Sequence, residues 1–307
     1  MKMKKQDIVR LVLLVTPILV WFSGCVGIQG PNGSAARGKA GRPLIVAHRG
    51  AGDLVMPEAS KSAYSNAVAT ACDIVKLDLQ STRDGVIVMS HDPTLQRTMG
   101  WNTNISQVVY GDILSNHVFL AKGRYANERI VRLDEALAIV KTVPEFWIDF
   151  KHFRPEFAER VLKTMDEAGI DESRIMSATF SYGALEYLRK THPRVRRVAH
   201  VSMNTGTNGT WRVSIAKGQT FPDKSAALRA ILAARDRMGL FGVNMPVLGG
   251  ETTPEDADFL RANGLWVSLW FVQDAAKAAR YRDHADAFVS DHKGRLGLDS
   301  ARRAVAP

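Results

Sequence analysis

The feature that most constrains this chain is an alternation. Nine short apolar runs, each about the length of a β-strand, recur from PLIVAH (43–48) to DAFVSD (286–291). Between most of them lie amphipathic stretches of helical period, such as KSAYSNAVATA (61–71), PEFAERVLKTMDEAG (155–169) and TPEDADFLRANG (253–264). Alternation of this kind predicts a parallel sheet with helical crossovers. One pair departs from it: DIVKLDLQ (73–80) and GVIVMSH (85–91) are separated only by STRD. That gap is too short for a parallel crossover and suits a hairpin turning at Asp84-Gly85. With the reversed run set aside, eight strands remain, which predicts a (β/α)8 barrel of TIM type with one hairpin irregularity. A chain of 307 residues accommodates such a barrel as a single domain, and no internal repeat or second boundary interrupts it. Residues 203–224, rich in Gly, Asn and Thr, read as a long loop, either a lid or a surface excursion.

The N-terminus stands outside this pattern. MKMKKQDIVR is basic, and LVLLVTPILVWF supplies twelve mostly apolar residues, short for a bilayer span, before FSGC. This resembles a bacterial lipoprotein signal over residues 1–25, with Cys25 as the lipidated first residue of the mature chain; conventional cleavage nearby is the competing reading. Val26 rather than an acid after Cys25 favours the outer membrane in that sorting pattern. Residues 26–42, rich in Gly and including Ser, Asn and Lys, then form a tether, and 43–307 the barrel domain. The chain is expected to be a periplasm-facing envelope lipoprotein held to the membrane by its lipid. The other cysteine, Cys72, lies in an apolar run and reads as a small buried hydrophobe.

The formal charge of +10 is spread along the chain, without a like-charge block or a basic stripe interleaved with aromatics. That favours an anionic small molecule or an anionic membrane surface and argues against nucleic acid. The oligomeric state is not legible. With the hairpin centred between Asp84 and Gly85, Asp78 is expected opposite His91, a carboxylate and an imidazole across one ladder. His48 ends another strand, with Arg49 beside it. Two histidines, an arginine and several acids at strand ends fall on the rim where barrels carry chemistry, and together they point to phosphoryl chemistry.

Taken in order, these segments resemble the glycerophosphodiester phosphodiesterase family from about Pro43 to Asp291. The opening His-Arg-Gly is His48-Arg49-Gly50, and Pro-Glu-Asn appears as Pro57-Glu58-Ala59. Glu-x-Asp appears as Lys76-Leu77-Asp78, and His-Asp is His91-Asp92, leading into Thr94-Leu95-Gln96-Arg97-Thr98. The acid-x-Lys strand is Asp149-Phe150-Lys151; Trp270-Phe271-Val272-Gln273 and Ser290-Asp291 close the series. The resemblance implies hydrolysis of glycerophosphodiesters to glycerol 3-phosphate and an alcohol, with His48 and His91 as general acid and base. Arg49 and Lys151 would bind the phosphate, and Trp270 would wall the substrate. It also implies a divalent cation, Mg2+ or Ca2+, on acids that map to Asp78, Asp149 and Glu58.

Position 76 breaks the pattern, because a protonated lysine cannot ligate a metal and repels one. Exchanging a glutamate and its dication for one lysine leaves the local charge unchanged, so Lys76 can stand in for the cation and face the phosphate. Two alternatives stay open: the three acids hold a cation with Lys76 turned aside, or the site is impaired and only binds phosphodiesters. A phospholipase D-like enzyme acting on lyso or intact lipids is the rival activity. Ala59 for Asn and His292-Lys293 after the last acid are further departures.

Overall fold

Side chains alternate along every strand, and that alternation sorts the chain into an inside and an outside. The structure, a computed structural model, describes residues 41–50, 56–121, 123–248, 252–292 and 296–298. The leader with Cys25, all but the last two residues of the tether, and Lys293 lie outside the described residues. The strands are β1 (Leu44–Ala47), β2 (Ile74–Ser81), β3 (Ile87–Met89), β4 (Glu145–Phe150), β5 (Ile175–Thr179), β6 (Arg196–His200), β7 (Gly242–Pro246), β8 (Trp266–Trp270) and β9 (Ala287–Ser290). All nine apolar runs therefore form strands, and all but β3 join one parallel barrel. Each barrel strand pairs with the next, β9 pairs with β1 (Leu44 beside Ala287), and β1 with β2 (Val46 beside Ile74) closes the ring.

Seven helices follow the amphipathic stretches: α1 (Lys61–Ala69), α2 (Leu133–Val140), α3 (Pro155–Glu167), α4 (Tyr182–Thr191), α5 (Lys224–Met238), α6 (Pro254–Ala262) and α7 (Ala275–Tyr281). Outward residues of β2 and β4, among them Val75, Leu77, Leu79, Phe146, Ile148 and Phe150, bury against apolar faces of the helices such as Leu137, Phe157 and Val161. Each such side chain stabilises the fold by about 1.5–3 kcal/mol. Inward residues Val46, Ile74, Trp147, Met176, Val198 and Trp266 make a separate apolar core inside the barrel. Gly242 is needed there: a Cβ would overlap the carbonyl oxygen of Trp266 and come to 3.0 Å from its Cβ and Cε3. The barrel is thus filled at one end and polar at the other.

The β2–β3 hairpin forms, but its register differs by one residue from the expected one. Leu79 pairs with Met89 and Ser81 with Ile87, which sets Asp78 opposite Ser90, whose N–H donates to the Asp78 carbonyl at 3.0 Å. The turn is centred on Asp84 itself, since Thr82 N–H bonds to Val86 O (3.0 Å) and Thr82 Oγ1 to Asp84 Oδ1 (2.6 Å). This odd-numbered loop moves the pairing by one position, so Asp78 and His91 are not cross-strand partners.

Two other segments fold more than expected. Residues 203–224 carry an antiparallel ribbon, Met203–Thr205 with Trp211–Val213, whose Met203 and Val213 join Ile215 and α5 in the core. The segment after β3 makes a second ribbon, Thr94–Leu95 with Trp101–Asn104, and short helices at 96–99 and 110–116. Its Leu95, Met99, Ile105, Ile113 and Phe119 cluster on Val88 as a satellite core.

Candidate active site

The site begins where the inward face of the barrel changes from apolar to charged. On β2 the same alternation that buries Leu77 outward turns Lys76 and Asp78 inward. Asp78 is in direct register with Asp149 of β4, so two carboxylates stand side by side, buried at 0% and 4% exposure. Like charges in such a place need cations, and two lysines supply them. Lys76 Nζ donates to Asp78 Oδ1 and, at 3.1 Å, to Asp149 Oδ2. Lys151 Nζ lies 2.7 Å from the same two oxygens. Burial would raise both carboxyl pKa values, but the lysines outweigh it and hold Asp78 and Asp149 well below the usual range. Burial likewise pulls Lys151 down, and the two carboxylates more than reverse it.

This arrangement does not fit a divalent cation. Mg2+ or Ca2+ requires six or more oxygens at roughly 2.0–2.6 Å. Asp78 Oδ1 and Asp149 Oδ2 already accept from both lysines, and Glu58 is occupied elsewhere. Asp78 Oδ2 is a buried carboxylate oxygen without a hydrogen-bond partner. A dication bound there would sit on the order of 4 Å from the Lys76 ammonium, a repulsion of roughly 8 kcal/mol at an effective dielectric of 20. Among the described residues, no three His, Cys, Asp or Glu side chains are grouped to hold an ion.

A third base joins this floor. His200, at the end of β6, has Nε2 3.5 Å from Asp149 Oδ2 and Nδ1 2.8 Å from the Asn244 amide nitrogen. Ser268 Oγ donates to Asn244 Oδ1 at 2.8 Å. With the amide donating to Nδ1, the ring proton sits on Nε2 and faces Asp149. Burial lowers the His200 pKa although Asp149 opposes it. Sequence reasoning missed His200; its position as an inward strand-end histidine, like His48, was the available signal.

At the rim, β1 ends in a sharp turn. Arg49 has φ 52° and Gly50 φ 83°, and a Gly50 Cβ would lie 3.0 Å from the backbone of Ala63 and Tyr64 in α1. Only glycine lets the chain pass so close to the helix. The turn leaves His48 nearly buried, its Nδ1 donating to Asp291 Oδ1 at 2.8 Å and its ring 4.5 Å from that of Phe271. Gln273 locks Asp291 from two sides, donating through Nε2 to Oδ2 (2.6 Å) and accepting the Asp291 N–H at Oε1 (3.1 Å). Burial pulls the His48 pKa down, against the pull of Asp291.

His91 has its own carboxylate, with Nδ1 donating to Asp92 Oδ1 at 2.8 Å. Asp92 Oδ2 accepts from Arg97 Nε at 2.6 Å, and Arg97 forks onto both Glu58 oxygens at 2.7 Å. Arg49 completes the chain on Glu58 Oε2 at 2.7 Å. Glu58 therefore spaces two arginines, which take up both of its carboxylate oxygens. Burial, with Lys151 and Arg49 nearby, pulls His91 down to about 4. Arg49 acts on both histidines, which ties the two sides of the mouth together electrostatically. Trp270 packs edge-on against Phe271 at 5.3 Å, behind the ring that touches His48.

The fold thus gathers His48, Arg49, Lys76, Asp78, His91, Asp149 and Lys151, with Glu58 and Trp270 behind them. It adds Asp92, Arg97, His200, Gln273 and Asp291 as partners. Among these, Asp92, Arg97, Gln273 and Asp291 fall inside the sequence motifs without a role being evident there.

Comparisons with known proteins bear on the family and the fold. The model of the glycerophosphoryl diester phosphodiesterase family matches residues 48–294. A glycerophosphodiester phosphodiesterase of Caldanaerobacter subterraneus is 26% identical over 161 residues, covering 50% of this chain and 65% of that protein. One from Bacillus altitudinis is 27% identical over 160 residues, covering 49% and 63%. The chain thus spans just under two thirds of the length of these relatives. Among solved structures, a phosphodiesterase of Oleispira antarctica in complex with the product sn-glycerol-3-phosphate superposes with TM-score 0.67 at 18% identity, covering 86% of this chain and 98% of that one. A glycerophosphodiester phosphodiesterase of Agrobacterium tumefaciens gives 0.60 at 19%, covering 81% and 96%. These likenesses bear on the barrel fold.

Proposed function

The chain belongs to the glycerophosphoryl diester phosphodiesterase family, and from that premise we propose that it hydrolyses glycerophosphodiesters to glycerol 3-phosphate and a free alcohol. The observation that carries the reading is a pair of histidines, each held by its own carboxylate, at the polar end of a barrel that also holds Lys76 and Lys151. In-line displacement at phosphorus needs a base for the attacking hydroxyl and an acid for the departing oxygen. His48 suits the base: Asp291 takes its Nδ1–H, so the unprotonated Nε2 is left to accept a proton. The attacking group is water or the substrate's own glycerol hydroxyl, the latter through a cyclic phosphate.

His91 suits the acid. Among the groups that lower its pKa are Lys151 and Arg49, the cations proposed to take the non-bridging phosphate oxygens. A bound phosphodiester anion neutralises them, so substrate binding itself raises the His91 pKa and loads the proton that the leaving alcohol needs. The leader ending at Cys25 supports the further proposal that the enzyme works at the bacterial envelope as a lipoprotein.

The test is turnover of glycerophosphocholine and glycerophosphoethanolamine by the full chain and by His48→Ala and His91→Ala. Each substitution is expected to lower kcat by roughly a hundredfold or more. Unchanged turnover in either variant rejects the acid–base assignment, and no turnover by the parent chain rejects the substrate class.

A further inference from the structure

We infer that Lys76 performs the work of a divalent cation, so that this site binds and stabilises the phosphoryl group without metal. The inference rests on the phosphodiesterase reading and concerns how that site handles charge. Lys76 shares the inward face of β2 with Asp78 and bridges it to Asp149, the oxygens a cation would need. With Lys76 and Lys151 opposite Asp78 and Asp149, the buried floor is electrically neutral before any ion arrives. A glutamate at position 76 together with a dication would reach that same balance, so the lysine is a charge-conserving exchange rather than a defect.

The donor geometry supports the exchange. An ammonium carries three N–H groups. On each lysine two point to the carboxylates, which fixes the head group and leaves one proton for a phosphoryl oxygen. Rigidly held donors beside developing negative charge are what a metal would otherwise provide. Metal dependence is thereby replaced by dependence on an ammonium tied to two carboxylates.

Glycerol 3-phosphate binding, measured by calorimetry on the full chain with chelator and then with added Mg2+ or Ca2+, tests this separately from turnover. The expected result is the same affinity in both buffers, no thermal shift from either cation alone, and phosphodiester turnover that survives chelation. Lys76→Glu is expected to lose affinity in chelator by roughly tenfold or more and to recover it, with a new thermal shift, on adding Mg2+ or Ca2+. Lys76→Gln is expected to lose it without recovery. Parent-chain binding that disappears in chelator and returns with a cation overturns the inference, as does undiminished binding by Lys76→Gln. If the parent chain binds glycerol 3-phosphate without metal yet cleaves no glycerophosphodiester, the inference stands and the proposed substrate falls. Failure to bind in either buffer overturns both.

Discussion

Replacing Lys76 with methionine keeps the length of the side chain and deletes one buried charge. The Lys76 side chain is 5% exposed, and its partners Asp78 and Asp149 are 0% and 6% exposed. Removing one partner of a buried ion pair costs about 3–5 kcal/mol. Lys151 remains 2.7 Å from both carboxylates, which sets the expected loss at the lower end, about 3 kcal/mol. For a domain of this size that is roughly 6–12 °C in Tm. The loss should depend on pH. Without Lys76, burial drives the Asp78 pKa upward, and a carboxyl whose folded pKa exceeds its unfolded value destabilises only where it must ionise. The deficit is therefore largest near pH 7 and shrinks as the pH falls toward 4. Asp78→Asn added to Lys76→Met should restore much of the loss, because Asp149 and Lys151 are then matched one to one. Thermal unfolding by circular dichroism across pH, on both single variants and the double, reads this out. A deficit under about 1 kcal/mol at pH 7, or one that neither acid nor Asp78→Asn relieves, refutes the charge-balance reasoning.

Asp291→Asn should lower kcat by roughly a hundredfold or more with little change in KM, since an amide can donate to His48 Nδ1 and invert its tautomer; unchanged kcat removes Asp291 as the positioning residue. Gly242→Ala should destabilise the barrel by about 1–3 kcal/mol, because its Cβ meets the backbone of Trp266; a neutral result in chemical unfolding contradicts that packing. The pKa values of His48, His91 and His200 are all lowered in the fold, so the unfolded chain binds more protons below about 6.5. Stability should therefore fall as pH drops from about 6.5 toward 4, with His192, whose pKa is raised, acting in the opposite sense. A Tm no higher at pH 7 than at pH 5 contradicts this.

How much of this was written in the sequence follows from the range of each interaction. The strand of IVKLDLQ, its inward Lys76 and Asp78, and the helix that follows His-Arg-Gly are local consequences of period and spacing, and the family motifs are short enough to read in line. The register of the β2–β3 hairpin was misread because an inward or outward side chain is decided by a single residue of turn, and Thr82 closed the loop around Asp84. The pairing of His48 with Asp291 joins opposite ends of the barrel domain, and Lys76 meets Asp149 only through the β2–β4 register. The same holds for His200, which becomes part of the site because Asp149 and Asn244 arrive from neighbouring strands. Sequence alone determined the barrel, the family motifs and the presence of an unexpected cation among acids, since alternation and motif order are properties of the chain itself. The tertiary structure decided that this cation is shared between two carboxylates and matched by a second lysine, because buried charges are balanced by whatever the closed sheet brings within reach.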